Sequence, residues 1–171
     1  MKLEYYQGDL FDLESEVTVF AHCIASDFGM YGGIARQFVG KYNMKNRLKE
    51  MCKHVSITQQ TTTEIIHGKS FVVPTDIITR PTLLGKALKV GNTYNLITKP
   101  ITGYPPENND LFKKSLEDLK RQMVANKELY LAIPKLGCGI DRMDWDDVSW
   151  IIQRIFQDTE ITITVAYLPH L

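Results

Sequence analysis

Runs with the two-residue period of β-strands alternate with runs of helical period along nearly the whole chain, and few layer architectures accommodate that order. "KLEYYQG" and "EVTVFAHCI" are rich in β-branched and aromatic residues. "GGIARQFVGKY" follows with Ile34 and Phe38, and Ala35 and Val39, at i, i+4 spacing, so a strand, a glycine turn and a helix succeed one another. "KSFVVPTDII", "TYNLITK", "LYLAIPKLG" and "ITITVAYL" read as further strands bounded by turn formers. Two helices separate the last three. "DLFKKSLEDLKRQMVANK" carries a stripe of Phe112, Leu116, Leu119 and Met123, with Asp110 as its expected N-cap. "DWDDVSWIIQRIFQ" carries Val148, Ile151, Ile152, Ile155 and Phe156, with Asp144 capping its first turn. The expectation is an α/β domain with a largely parallel or mixed central sheet covered by helices. Ligands of such sheets bind beyond the carboxyl ends of the strands. Three loops should converge there: the turn after "FAHC", the end of "NLITKP" and the loop "LGCGID". The Thr-rich stretch 55–95 is less regular and reads as a hairpin-like excursion.

Size and charge narrow the function. At 171 residues the chain suits one domain, spanning 1–171, with a single continuous core. Its 20 basic and 20 acidic residues cancel, so a footprint for nucleic acid or an anionic membrane is not expected. No run reaches the ~18 apolar residues of a membrane span, and "MKLEYYQGDL" lacks the apolar stretch of a signal peptide. A soluble, intracellular monomer is expected. Cys23, Cys52 and Cys138 are odd in number and scattered, which fits reduced thiols. No CxxC or HExxH spacing points to a metal, so neither a metal nor a cofactor is expected.

The chemistry-bearing stretches are few. "GMYGGIARQF" sets Gly29, Gly32 and Gly33 ahead of a helix start, where exposed N–H groups and a partial charge near +0.5 suit a phosphate. A tight strand-to-helix turn is the plainer alternative. "LGCGIDRMDWDD" repeats the arrangement, because Gly137 and Gly139 let the backbone approach a ligand and the helix starting near Asp144 aims its N-terminus at the loop. Two such loops would clamp two phosphates. Cys138 reads as a small residue between glycines, with no base at a motif spacing. Asp141 is either a catalytic carboxylate or first-turn charge. Lys99 ends the strand "TYNLITK" before Pro100; it is either a solvated surface charge or a nucleophile, and a nucleophilic lysine must be neutral when it attacks. His22 and Cys23 point to opposite faces of one strand and cannot form a dyad. His22 is a candidate substrate contact, although a strand histidine with its hydrogen bonds satisfied is the plainer reading. Asp9, at the carboxyl end of the first strand, is either a turn former or an acceptor for an exocyclic amine.

Taken together and in order, "YYQGDLF", "AHCIASDFGMYGGIARQF", "NLITKP", "IPKLGCGIDRMDWDDVSWII" and "ITITVAYL" resemble the macrodomain family, and within it the terminal ADP-ribose protein glycohydrolase subgroup. The segment "IASDFGMYGG" is only partly alike. The resemblance implies a three-layer α/β/α macrodomain with a mixed sheet holding ADP-ribose. It implies Asp9 and Leu10 at the adenine, and Gly32, Gly33, Ile34 and Ala35 over the phosphates and distal ribose. Gly137, Cys138, Gly139 and Ile140 would face them. It further implies hydrolysis of the ester between ADP-ribose and a glutamate or aspartate of a mono-ADP-ribosylated protein, and turnover of O-acetyl-ADP-ribose. Lys99 would attack C1″ of the distal ribose and Asp141 would act as acid and base. An ADP-ribose 1″-phosphate phosphatase and a non-catalytic ADP-ribose reader are the alternatives.

Overall fold

The computed structural model describes residues 1–59, 63–66, 68–72, 76–139 and 141–169. In chain order the strands are β1 (Lys2–Gln7), β2 (Thr18–Ala25), β3 (Thr58–Gln59), β4 (Thr63–Ile66), β5 (Lys69–Val72), β6 (Ile78–Thr79), β7 (Ala87–Val90), β8 (Thr93–Lys99), β9 (Tyr130–Ile133) and β10 (Thr162–Tyr167). The α-helices are α1 (Gly33–Tyr42), α2 (Met44–Met51), α3 (Asp110–Ala125) and α4 (Trp145–Phe156). Six strands form one sheet in the order β1-β10-β9-β2-β8-β7. Neighbours are parallel except β7, which runs antiparallel to β8. The five parallel strands therefore present their carboxyl ends along one edge.

Both faces of the sheet are covered, which explains why β8, paired on both sides by β2 and β7, is buried at every residue. Side-chain alternation sends Tyr94 and Leu96 to a core formed with Phe112, Leu116 and Leu119 of α3 and Val148 and Ile152 of α4. Ile97 goes to the opposite core, with Phe38 of α1 and Met44 and Leu48 of α2. The single core expected from chain length is thus divided by the sheet into two large clusters.

The periodic stripes of α3 and α4 are buried as the sequence indicates, Ile155 only in part. Asp144 caps α4 by accepting from Asp146 N at 3.0 Å. The start of α3 differs: Asp110 is its first residue, and its N–H donates to Asn108 Oδ1 at 2.9 Å. Two elements go unread in the sequence. Helix α2 begins just after Asn43, whose left-handed backbone (φ 52°) is at once the C-cap of α1 and the N-cap of α2. Strand β7 sits inside the stretch taken as irregular, although Gly91 and Asn92 between Val90 and Thr93 are a two-residue hairpin turn of the kind that announces it. The rest of that stretch is an excursion with hairpin pairing, β4 against β5 and β3 against β6. The strand expected across "KSFVVPTDII" is realised at Lys69–Val72 and Ile78–Thr79, and residues 73–75 lie outside the described ones.

Candidate active site

The three loops expected to converge do so around a cavity of about 260 Å³ at the carboxyl edge of the sheet. Cys23, Ile24 and Ala25 come from the end of β2, Lys99 from the end of β8, and Gly137, Gly139 and Asp141 from the loop after β9. The start of α1 supplies Gly32, Gly33, Ile34 and Ala35.

The N-terminus of α1 is left open to a ligand by its own sequence. Gly32 is the N-cap, in extended backbone, and has no side chain to accept from the first-turn N–H groups; the first turn carries no acid. Orphan N–H donors at a helix start that face a cavity form an anion site. Helix α4 is the contrary case. Asp144 already caps it, and Asp146 and Asp147 fill its first turn, so its positive end is answered by the chain itself. The clamp expected from two helix N-termini therefore reduces to one. Gly137 and Gly139 still face the cavity with backbone, and position 137 favours glycine because its φ is positive (72°) and a Cβ would meet Met143 Sδ at 2.4 Å.

Opposite charges meet in the same cavity. Lys99 Nζ donates to Asp141 Oδ1 at 2.5 Å, and each side chain is less than a tenth exposed. A bulge in the pairing of β2 with β8 sets this up. Cys23 pairs with Leu96 and Ile24 with Ile97, but Ala25 pairs with Lys99, so one residue of β8 is skipped. In unbroken register Thr98 would stand beside Ala25; the bulge puts Lys99 there instead, re-aiming the strand's last side chain as bulges beside sites do. Its cost is visible in Thr98, whose buried hydroxyl has no hydrogen-bond partner among the described residues. An ion pair taken out of water contributes little to stability after desolvation. Its place in a ligand-sized cavity makes it the candidate for chemistry.

Burial works against a nucleophilic role for the Cys23 and Cys138 thiols. Burial pushes the Cys23 thiol well above its ordinary range and the Asp141 charge adds to it, while burial also raises Cys138. The Cys138 thiol donates to Leu136 O at 3.4 Å and does not line the cavity.

Other expected contacts lie elsewhere. His22 is fully buried on the α1 face of the sheet, outside the cavity, with its ring stacked on Phe38 at 4.1 Å. Asn95 Nδ2 donates to Leu88 O at 3.0 Å, which turns Asn95 Oδ1 toward His22 Nε2 as acceptor at 2.6 Å. Burial holds the His22 pKa down to about 4, the Asn95 bond opposing it. Leu10 is 4% exposed and belongs to the α1/α2 core rather than to the cavity wall. Asp9 stands at the same sheet edge, outside the cavity lining, and its Oδ1 accepts from Phe11 N at 2.9 Å to cap the 3-10 turn Leu10–Leu13. Ile140 lies outside the described residues.

Several residues at the site carried no sequence signal. Thr102, Tyr31, Met30 and Lys135 line the cavity, and Ser26 ties β2 to the end of β8 through N–H to Lys99 O at 2.9 Å and hydroxyl to Pro100 O at 2.9 Å. Among the described residues no group of three His, Cys, Asp or Glu side chains is placed to hold a metal ion, and no helix is long and apolar enough to cross a membrane.

No family model matches the chain. ADP-ribose glycohydrolase OARD1 of Homo sapiens is 32% identical over 167 residues, covering 98% of this chain and 92% of the relative. Among solved structures, the macrodomain of Mycobacterium tuberculosis DarG superposes with a TM-score of 0.71 at 23% identity, over 98% of both chains. Thermosipho africanus DarTG in complex with ADP-ribose gives a TM-score of 0.66 at 17% identity, over 98% of this chain and 42% of that one.

Proposed function

This chain belongs to the macrodomain family, in its terminal ADP-ribose glycohydrolase group, and on that premise we propose that it binds ADP-ribose and hydrolyses it from glutamate and aspartate esters on proteins. The observation that carries the reading is the buried Lys99–Asp141 pair sharing one cavity with the open N-terminus of α1. The helix start takes the pyrophosphate through the N–H groups of its first turn. Gly137 and Gly139 close over it from the other side, which leaves the distal ribose against Lys99.

The chemistry follows from the contact between the two side chains. Lys99 must lose a proton before it attacks, and Asp141 Oδ1 is already hydrogen-bonded to Nζ at 2.5 Å to receive it. The amine then bonds C1″ of the distal ribose as the C1″–O bond to the protein carboxylate breaks, and Asp141 passes its proton to the departing oxygen, which leaves Asp141 ionised again. Asp141 next takes a proton from a water that adds to C1″. The C1″–N bond breaks, the nitrogen regains its proton and ADP-ribose leaves. Lys99 is the nucleophile and Asp141 the acid and base. The same cavity would accept O-acetyl-ADP-ribose, whose ester is of the same class.

The test is release of label from a glutamate-linked mono-ADP-ribosylated protein, alongside isothermal titration with ADP-ribose. Wild-type protein is expected to bind one equivalent and clear the label. Lys99→Ala should stop turnover and Asp141→Ala should lose at least about 10²- to 10⁴-fold in rate, both while still binding, and Asp141→Ala should accumulate a Lys99 adduct visible by intact mass spectrometry. Undiminished label with stoichiometric wild-type protein would make the chain a reader. Near-normal hydrolysis by Lys99→Ala would remove the lysine from the attacking step.

A further inference from the structure

Lys99 is the last residue of its strand, so the segment that follows decides where its backbone ends up. That segment, 100–103, is laced to the loop after β2 by a carboxylate the reaction does not consume. Asp27 Oδ2 accepts from Thr102 N at 2.9 Å, and Asp27 Oδ1 accepts from the Thr102 hydroxyl at 2.6 Å and from Gly29 N at 2.9 Å. One carboxylate thus holds three donors from two loops, one of which leads into α1 and the other out of Lys99. The fit is steric as well as polar. A Cβ on Gly29 would meet Thr102 Oγ1 at 2.3 Å and Thr102 Cβ at 2.7 Å, so the two loops interlock only because position 29 has no side chain.

We propose that Asp27 is a positioning residue for the hydrolytic reaction, acting through Thr102 to hold Lys99 in line with the sugar carbon while the helix start holds the phosphates. The inference rests on Lys99 as the attacking group. Its physical basis is that reacting atoms must be held near 3–3.5 Å, and a misplacement of about 1 Å from a change away from the chemistry costs up to ~10²-fold in rate. A clasp between the loop that seats the ligand and the strand end that carries the nucleophile sets that distance. The phosphate-binding N–H groups of α1 do not depend on the Thr102 hydroxyl, so loosening the clasp at Thr102 should reduce kcat and leave KM nearly in place.

The experiment compares Thr102→Val, which deletes only the hydroxyl donor, with Thr102→Ser, which restores it, and with Gly29→Ala, which forces the loops apart while removing no polar group. Each is assayed for kcat and KM on the glutamate-linked substrate, for ADP-ribose affinity and for thermal stability. Thr102→Val and Gly29→Ala should lose about tenfold or more in kcat with KM and ADP-ribose affinity changed less than about threefold, and Thr102→Ser should stay within about twofold of wild type. In a Lys99→Ala background Thr102→Val should cost nothing further. Thr102→Val at wild-type kcat, or Thr102→Ser impaired as badly as Thr102→Val, would overturn the proposal. So would a loss expressed in KM alone, or a further loss in the Lys99→Ala background. If Thr102→Val folds poorly, Gly29→Ala and Thr102→Ser still decide the question. Should Lys99→Ala itself retain activity, the lysine mechanism fails on that variant alone, and the Thr102→Val to Thr102→Ser contrast still reports on the clasp.

Discussion

Acid should weaken this protein through His22. The ring is fully buried, and its Nε2 is committed as donor to Asn95 Oδ1, which leaves Nδ1 unprotonated and without a hydrogen-bond partner among the described residues. Protonation would therefore place both a charge and an unanswered N–H inside the α1/α2 core. With the folded-state pKa down at about 4 from 6.5, the neutral ring contributes stability that is whole above the unfolded value. That contribution falls as pH drops from 6.5 toward 4, and is gone below it. The full gap is worth about 3 kcal/mol, of which roughly 2 kcal/mol is lost between pH 7 and pH 4.5. Carboxylates titrate over part of that range too, so the measurement is a difference. His22→Gln keeps a donor for Asn95 and removes the titration. Urea unfolding followed by circular dichroism at pH 7 and at pH 4.5 should show wild type losing roughly 2 kcal/mol more than His22→Gln over that interval. Equal losses in the two proteins would show that His22 is not held neutral by burial.

Two further outcomes separate binding from stability and from thiol chemistry. Gly32→Asp should raise or preserve the melting temperature, because Gly32 is an extended N-cap and a side-chain acceptor there improves on glycine by roughly a few tenths of a kcal/mol. The same variant should abolish ADP-ribose binding in a calorimetric titration, because the new carboxylate occupies the anion site; retained binding would move the phosphates away from α1. Cys138→Ala should keep turnover within about twofold, since its thiol is held toward its protonated form and lies off the cavity wall. A large loss of turnover would return Cys138 to the mechanism.

The parts of the site legible in the sequence are those whose chemistry is local. Glycines before a helical period announce an open helix start, and Gly137, Gly139 and Asp141 stand within a few residues of one another. The Lys99–Asp141 pair was reachable only through resemblance, because a strand-end lysine and a loop aspartate 42 positions apart carry no joint pattern. The bulge that aims Lys99 was illegible for the same reason, as it is a mismatch of register between β2 and β8 and not a property of either strand. Asp27 was illegible more deeply. An aspartate in a turn is ordinarily an acceptor for its own backbone, and Asp27 does accept from Gly29 N, yet its remaining bonds reach Thr102, 75 residues away. His22 left two readings open, since alternation fixes which face a strand residue takes but not whether that face meets a ligand or a helix.

Helix α2, which the sequence did not reveal, helps to hold the ligand loop in shape. Phe28 and Met30 both adopt left-handed backbone (φ 54° and 55°) while nearly fully buried. Each such conformation costs roughly 1–3 kcal/mol and persists only where its surroundings over-determine it. Two anchors from separate parts of the chain do so here. Arg80, which follows the excursion, lays its guanidinium over the Phe28 ring at 4.0 Å and donates to Ser26 O at 3.0 Å. Lys45 of α2 donates to Gly29 O at 2.9 Å. The strain is therefore met when the chain folds and not when a ligand arrives. A loop already fixed loses little conformational freedom on binding, and its N–H groups need no rearrangement to face a developing or resident negative charge. Arg80 and Lys45 of α2 thus support the loop without lining the cavity, by supplying the contacts that keep an unfavourable loop conformation populated.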